Sequence, residues 1–377
     1  MALFEANDGA VAAPPRRRLP RTAVAGVWAV AVALVALLVL TILPTTFVIQ
    51  QPGPVFNTLG SAADAEGEDV PLISISGAET FPTAGSLDLL TVQVVGNRER
   101  TPSWFELALA WFDASRAVIP INEVFPADQT TEQRNEQSAA MMVDSQKEAT
   151  AAALIELGYD VKPMVRVYSL TPDSAATGLL ERDDIIRKAD GTAVTDTAQL
   201  RSIVADGGGD PVDLTVERGG KELTVEVTPQ RTQIDGESAW LIGVTTLHDY
   251  AFPIDVTIQL DNVGGPSAGM MFALGIIDTL TEGELNGGAD VAGTGTINSA
   301  GEVGPIGGIR QKLYGALGAG ADYFLAPESN CDEVVGHVPD GLQVIRTATL
   351  EESLAALEVI ADDGDVSALP TCNLAGS

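Results

Sequence analysis

Residues 22–43 contain no charged side chain, and all but Thr22, Gly26 and Thr41 are Ala, Val, Leu, Ile or Trp. Twenty-two such residues, at about 1.5 Å per residue, span a hydrocarbon core of ~30 Å as a single helix. A cleaved signal peptide has an apolar core of only ~7–15 residues and a small-x-small cleavage site. Here the run is longer and passes into Pro44-Thr45-Thr46-Phe47, with no Ala-x-Ala. Both features favour an uncleaved signal anchor. Arg16, Arg17, Arg18 and Arg21 precede the run, which places the N-terminus in the cytoplasm and the rest of the chain outside.

Charge divides along the same line. The 377 residues carry 52 acids against 21 bases, a net −31. With four arginines and only Glu5 and Asp8 before the apolar run, 17 bases and 50 acids follow Pro44, a net −33 on the outer side. Such a body lacks the clustered Lys and Arg with which proteins neutralise nucleic-acid phosphates. Two His and no Cys-x-x-Cys argue against zinc, and no metal or other cofactor is expected. Cys331 and Cys372 both fall in the outer part, where disulfides persist. A bridge would pin the C-terminal tail to the core; spacing alone leaves two free thiols as the alternative.

The organisation expected beyond the cytoplasmic tail (1–21) and the anchor (22–43) begins with a stalk over 44–69, suggested by Gln50-Gln51-Pro52-Gly53-Pro54 and by the small and acidic residues around 62–69. Leu90-Thr91-Val92-Gln93-Val94 alternates as a strand. Short and long helices are expected over 103–112 and 129–157; the latter carries Met142, Ala149, Ala153 and Leu157 on one stripe, with Gly158 as its stop. Residues 159–232 differ in character. Pro172-Asp173-Ser174-Ala175-Ala176-Thr177-Gly178-Leu179 precedes Asp183-Asp184-Ile185-Ile186, then Asp190-Gly191, a helix near 197–204, and a hairpin turning at Arg218-Gly219-Gly220-Lys221. This order resembles a bacterial PDZ domain. The resemblance implies a peptide groove between a strand and a helix, where an extended peptide adds as a further strand. By position that strand would be Val165-Arg166-Val167, with residues 158–161 as the carboxylate-facing turn.

Ile254–Leu260 alternates strictly and leads through Asp261-Asn262-Val263-Gly264-Gly265-Pro266-Ser267-Ala268-Gly269 into an apolar, helix-competent stretch. Ser267 thus stands at a strand–loop–helix junction, where free N–H groups and the positive dipole end suit a developing oxyanion. Serine is also a favoured helix cap, so position alone leaves both roles open. Neither His248 nor His337 has the context of a Ser-His-Asp base. Lys312 opens a second apolar helix after Gly301-Glu302-Val303-Gly304-Pro305-Ile306-Gly307-Gly308-Ile309-Arg310-Gln311. A buried lysine serves as a general base and a solvated one does not, and the residue types alone leave that open.

Taken together, Gly-Pro-Ser267-Ala-Gly, then Thr294-Gly, then Pro-Ile-Gly-Gly-Ile-x-x-Lys312, and the following Ala-Gly-Ala-Asp-Tyr-Phe-Leu-Ala-Pro-x-x-Asn330, resemble the proteolytic domain of Lon-family peptidases. With its anchor and PDZ-like block the chain is similar to the YlbL-type PDZ-Lon proteases of Gram-positive bacteria. The resemblance implies an α+β fold in which a Lon-type proteolytic domain (70–158 and 233–377) is interrupted by an inserted PDZ domain (159–232) and preceded by one transmembrane helix. It implies Ser267 as nucleophile, Lys312 as general base, Thr294 as the hydroxyl that aims the lysine, and backbone N–H groups of Gly265 and Ser267 as oxyanion donors. The acid that many Lon proteins carry three residues before the serine is here Gly264. No Gly-x-x-x-x-Gly-Lys-Ser/Thr occurs, so no nucleotide is expected. The expected activity is an ATP-independent, single-pass, membrane-anchored serine endopeptidase of the bacterial cell membrane. It would act outside that membrane on protein or peptide substrates, and Lon-like rings are a precedent for a homo-oligomer. An inactive peptide-binding scaffold and a holdase are the alternatives; neither needs Ser267, Thr294 and Lys312 together.

Overall fold

A computed structural model describes residues 21–63, 67–126, 130–234, 237–260 and 263–373. Arg16, Arg17 and Arg18, on which the orientation of the anchor rests, lie outside the described residues, as do Asp261 and Asn262. The first element is a helix over Arg21–Ile42, and from Val24 to Leu40 its apolar side chains are exposed. By length and composition this helix is able to cross a membrane.

The larger folded unit is built on a six-stranded sheet in the order Gln343–Thr347, Tyr323–Pro327, Asp290–Gly293, Ser86–Val95, Phe47–Asn57, Ala117–Pro120. The first four strands run parallel, and the last two add antiparallel. Ser86–Val95 is covered on both faces where it lies in mid-sheet. Leu87 and Leu89 join a core with the helices Thr131–Glu156, Gly269–Leu280 and Leu350–Ala361, whereas Leu90 faces the helix Ile309–Ala319. Burial on both sides explains why Gly269–Leu280 reads as apolar around its whole circumference, its first ten residues all being buried.

The expected stalk is corrected here. Residues 47–57 form a strand paired on both sides, with Val48 and Ile49 buried. The Pro-Gly-Pro composition suggested a spacer, but these residues sit where the strand register shifts between Pro52 and Val55. A bulge tolerates the missing proline donors. Gly53 is required there, because a Cβ would meet Thr91 Oγ1 at 2.3 Å. The chain therefore enters the domain within five residues of Ile42.

The second unit has its own core and a sheet ordered Lys221–Val227, Val212–Arg218, Ile185–Ala189, Lys162–Leu170, Val244–Ala251, with the helix Thr197–Asp206 beside it. The hairpin forms in the alternating register read from the sequence, with Val212 opposite Val227, Leu214 opposite Val225 and Val216 opposite Leu223. The expected boundary at 232 falls short. Val244–Ala251 pairs along the whole of Lys162–Leu170 and belongs to this sheet.

Candidate active site

Ser267 lies one residue before Ala268, the cap of the helix Gly269–Leu280. Its loop is held from the long helix Thr131–Glu156 at two points seven residues apart. Gly265 donates its N–H to the Ser138 carbonyl at 2.9 Å, and Ser145 Oγ donates to the Pro266 carbonyl at 3.0 Å. Ser145 was not singled out by the sequence analysis. The signal was there: it falls on the Met142–Ala149–Ala153 stripe as a buried polar residue on an apolar face. The Gly265 bond also corrects one expectation. With its N–H committed to Ser138, Gly265 is not a free oxyanion donor in this conformation. The N–H groups of Ser267 and Ala268 carry no hydrogen bond among the described residues.

Lys312 lies on the core-facing stripe of Ile309–Ala319, between Ile309, Leu313 and Ala316, all fully buried. Only 2% of the residue is exposed. Its Nζ stands 2.8 Å from Ser267 Oγ and 2.8 Å from Thr294 Oγ1. Burial disfavours the charged form and pushes the ammonium down from 10.5 to about 7. Thr294 Oγ1 donates its proton to the Ser267 carbonyl at 2.9 Å, so its oxygen is left to accept from Lys312. Gly295 adds a second donor to that carbonyl at 3.0 Å.

The approach of the lysine helix depends on Gly308, at φ 71°, whose Cβ would meet Val92 Cγ2 at 2.7 Å. Upstream of it, Asn330 accepts from the Ile306 N–H and donates to the Ile306 carbonyl, both at 2.9 Å. In the sequence Asn330 was only a motif match; the fold gives it the task of holding the segment that starts the lysine helix. Cys331 follows directly and is joined to Cys372 by a disulfide. The Ser267–Lys312 pair opens into a cavity of about 400 Å³ lined by Leu89, Val92, Met142, Val263 and Gly307 among others. Among the described residues no group of His, Cys, Asp and Glu is arranged to hold a metal.

The peptide-binding expectation is corrected. Val165, Arg166 and Val167 lie in an interior strand: Val165 faces both Ile186 and His248, Arg166 both Ile185 and Leu247, and Val167 exchanges hydrogen bonds with 183–184 while facing Thr246. With both edges occupied, none can accept an added strand. Among the described residues the edge strands of this sheet are Lys221–Val227 and Val244–Ala251, and the latter lies against the helix Thr197–Asp206, with Thr246 Oγ1 2.9 Å from Thr197 Oγ1. A cavity of about 470 Å³ opens there, lined by Leu200, Val204, Trp240, Ile242, Val244 and Thr246 among others. The turn before this strand is Leu241-Ile242-Gly243, whose Ile242 and Gly243 carbonyls are held by Ser174, Ala176 and Thr171. The strand expected to line a groove stands at the start of the block, whereas the edge strand beside this cavity is the last that the chain reaches.

The two units meet at the far end of that strand. Glu148 of the long helix accepts from Tyr250 Oη with one oxygen and from the Ser299 N–H with the other, each at 2.7 Å. Beside it, Asp249 pairs with Arg166 at 2.6 Å and Lys147 at 3.1 Å. Burial works to raise the Asp249 carboxyl, but these hydrogen bonds outweigh it and hold the carboxyl below its usual range.

Comparison with known proteins finds both domains, although the PDZ match begins within the long helix and ends before Val244–Ala251. Residues 259–359 match the Lon protease (S16) C-terminal proteolytic domain, and residues 141–228 match a PDZ domain. The chain is 38% identical to a Lon protease of Lachnoclostridium phytofermentans over 93 residues, 24% of this chain and 11% of that protein. It is likewise 38% identical to Lon protease 2 of Herpetosiphon aurantiacus over 108 residues, 27% of this chain and 13% of that one. A peroxisomal Lon protease homolog 2 of Caenorhabditis elegans is 30% identical over 141 residues, 37% of this chain and 18% of that protein. The chain thus spans less than a fifth of the length of each of these relatives.

Proposed function

From the premise that this chain carries a Lon-type proteolytic domain and a PDZ domain, we propose that it is a membrane-anchored, ATP-independent serine endopeptidase acting outside the cytoplasmic membrane. The observation that carries the reading is the 2.8 Å approach of a fully buried lysine amine to Ser267 Oγ. A neutral Lys312 takes the Ser267 proton as Oγ attacks the peptide carbonyl. Thr294 accepts one Lys312 N–H and so turns the amine lone pair towards Ser267. The oxyanion meets the unpaired N–H groups of Ser267 and Ala268 at the start of the helix. Lys312 then returns its proton to the leaving amine, and water, deprotonated by the same lysine, hydrolyses the ester. ATP independence is supported by the lack of a P-loop within the 377 residues, and anchoring by the apolar helix Arg21–Ile42.

The PDZ unit is assigned to present extended segments of substrate. An added strand would pair with Val244–Ala251 and lay its side chains towards Leu200 and Val204. The test is cleavage of an unstructured protein such as β-casein by the purified full chain without nucleotide. Ser267→Ala is expected to lower the rate by at least about 10³-fold, in line with loss of an activated nucleophile. Undiminished cleavage by a pure, folded Ser267→Ala protein would refute the assignment.

A further inference from the structure

We propose that the short helix Trp104–Trp111, together with Phe112, is a foot that rests in the lipid headgroup region beside the anchor helix. This inference rests on the reading of Arg21–Ile42 as a membrane span. Its basis is where the fold puts this helix. Pro44, two residues past the apolar helix, forms a β-bridge with Ser103, the cap of the short helix. Thr45 adds two bonds, its N–H donating to Thr101 Oγ1 at 3.2 Å and its Oγ1 to the Pro102 carbonyl at 2.8 Å. The helix start is thereby held at the point where the chain would leave the bilayer.

The side chains then fit that place. Leu107 and Ala110 are buried with Ile49 and fix which face turns inward. At 100° per residue an unbroken arc of about 160° holds, in order, Trp111, Trp104, Ala108, Phe112, Phe105 and Leu109, with no polar residue among them. Phe112 is 92% exposed, and Trp104, Phe105, Leu109 and Trp111 are also exposed. Trp104 meets Phe47 edge-on at 6.5 Å, so the ring is held at the span end. Trp next to a span and an apolar arc over a helix are the features of an element lying in a membrane interface.

Charge favours lipid as the occupant. The outer part carries −33, a burden that would repel an anionic lipid surface. Residues 94–121, by contrast, hold three bases (Arg98, Arg100, Arg116) and three acids (Glu99, Glu106, Asp113), and residues 44–57 hold no charge. The part of the domain next to the span is therefore the part relieved of the acidity. The helix is also stable enough to act as a unit, since Ser103 and Glu106 form a reciprocal capping box.

Brominated lipids test the proposal with the full chain in phosphatidylcholine–phosphatidylglycerol vesicles. Trp28→Phe combined with Trp240→Phe leaves Trp104 and Trp111 as the reporters. Their fluorescence is expected to be quenched by lipids brominated near the headgroup, more than by those brominated near the chain end. Adding Phe112→Glu, at a site that touches little else, is expected to reduce the quenching at least severalfold. A second protein leaves only Trp28 as the reporter of the span. If Trp28 is quenched but Trp104 and Trp111 are not, the anchor stands and the foot is refuted. Absence of Trp28 quenching refutes the span itself, and the foot with it. Should a second copy cover this face instead, a Phe112→Cys protein would cross-link to dimers while the tryptophans stayed unquenched, which also overturns the proposal.

Discussion

The N–H of Gly265 donates to the carbonyl oxygen of Ser138 at 2.9 Å, which fixes the serine loop against the long helix Thr131–Glu156. The next contact is as close: a Cβ on Gly264 would stand 2.7 Å from Ser138 Cβ. Neither atom can swing away, because one belongs to the loop backbone and the other to a helix. Gly264→Ala is therefore expected to push the loop by about an ångström and to lower kcat/KM on a peptide substrate by roughly 10²-fold. Ser138→Gly keeps the carbonyl and removes the obstructing Cβ, so the double variant should regain most of the loss. A double variant no better than Gly264→Ala alone would show that this contact does not set the position of Ser267.

With Lys312 as the proposed general base, its protonation is expected to bear on both rate and stability. With its amine at about 7, kcat/KM is expected to rise with pH through an apparent pKa near 7. Lys312→Arg, whose guanidinium stays charged, should be inactive at every pH. For stability, the unfolded lysine holds its proton up to about 10.5 while the folded one releases it above about 7. Between these values the unfolded state binds more protons, so this group raises stability as pH rises; below about 7 the penalty of a buried charge is fully present. Lys312→Met lacks that dependence. Relative to wild type it should lose about 3 kcal/mol between pH 6 and pH 9, measurable by denaturant titration at both pH values.

The Thr294 hydroxyl joins the Ser267 carbonyl to Lys312, and its proposed task is to position the lysine. Thr294→Val keeps the shape and removes both bonds. A fall in kcat of about 10–100-fold is expected, the usual range when an orienting partner is lost, with KM little changed. Thr294→Ser restores the hydroxyl and should restore most of the rate. Equal loss in both variants would point to packing of the methyl group instead.

Glu148 ties the strand Val244–Ala251, through Tyr250, to Ser299 of the larger unit. Its removal should loosen both ends together. In Glu148→Ala, amide hydrogen exchange is expected to speed up in 247–251 and in 296–304, whereas Glu148→Gln retains an acceptor for one of the two donors and should change one end only. Acceleration confined to a single segment in Glu148→Ala would break the link.

The Cys331–Cys372 bridge closes a 41-residue separation next to Asn330, which holds the segment before the lysine helix. Cys372→Ser is expected to reduce unfolding stability by about 2–4 kcal/mol. Because the Asn330 bonds do not depend on the bridge, labelling of Ser267 by a fluorophosphonate should persist at temperatures well below the lowered Tm.

Several features of this chain were open to reading because they depend on neighbours in sequence. The apolar run 22–43 needs only its length, and the 212–227 hairpin needs only alternation and a Gly-Gly turn. Ser267 and Lys312 stood out only when their motifs were taken together, since the serine junction and the lysine in an apolar helix each left a structural role open. Errors arose where composition was read without knowing what lay across from it. Pro52-Gly53-Pro54 has the make-up of a linker, yet Thr91 on the neighbouring strand turns it into a bulge inside the sheet. Val165–Val167 alternates as well as a groove strand would, but pairing on both sides removes its edge, and only the sheet order could show that.

By itself, then, the sequence marked Ser267, Thr294 and Lys312 through their motifs, most of the helices and strands through side-chain period, and one segment long and apolar enough to span a membrane. The tertiary structure decided how the parts act on one another. It brought Lys312 within 2.8 Å of Ser267 across 45 residues, buried it deeply enough to lower its pKa, committed the Gly265 N–H to Ser138, and put Val244–Ala251 at an edge of its sheet. Burial, hydrogen-bond partners and free strand edges are properties of what packs against a residue, and for each of these the partner comes from a distant part of the chain.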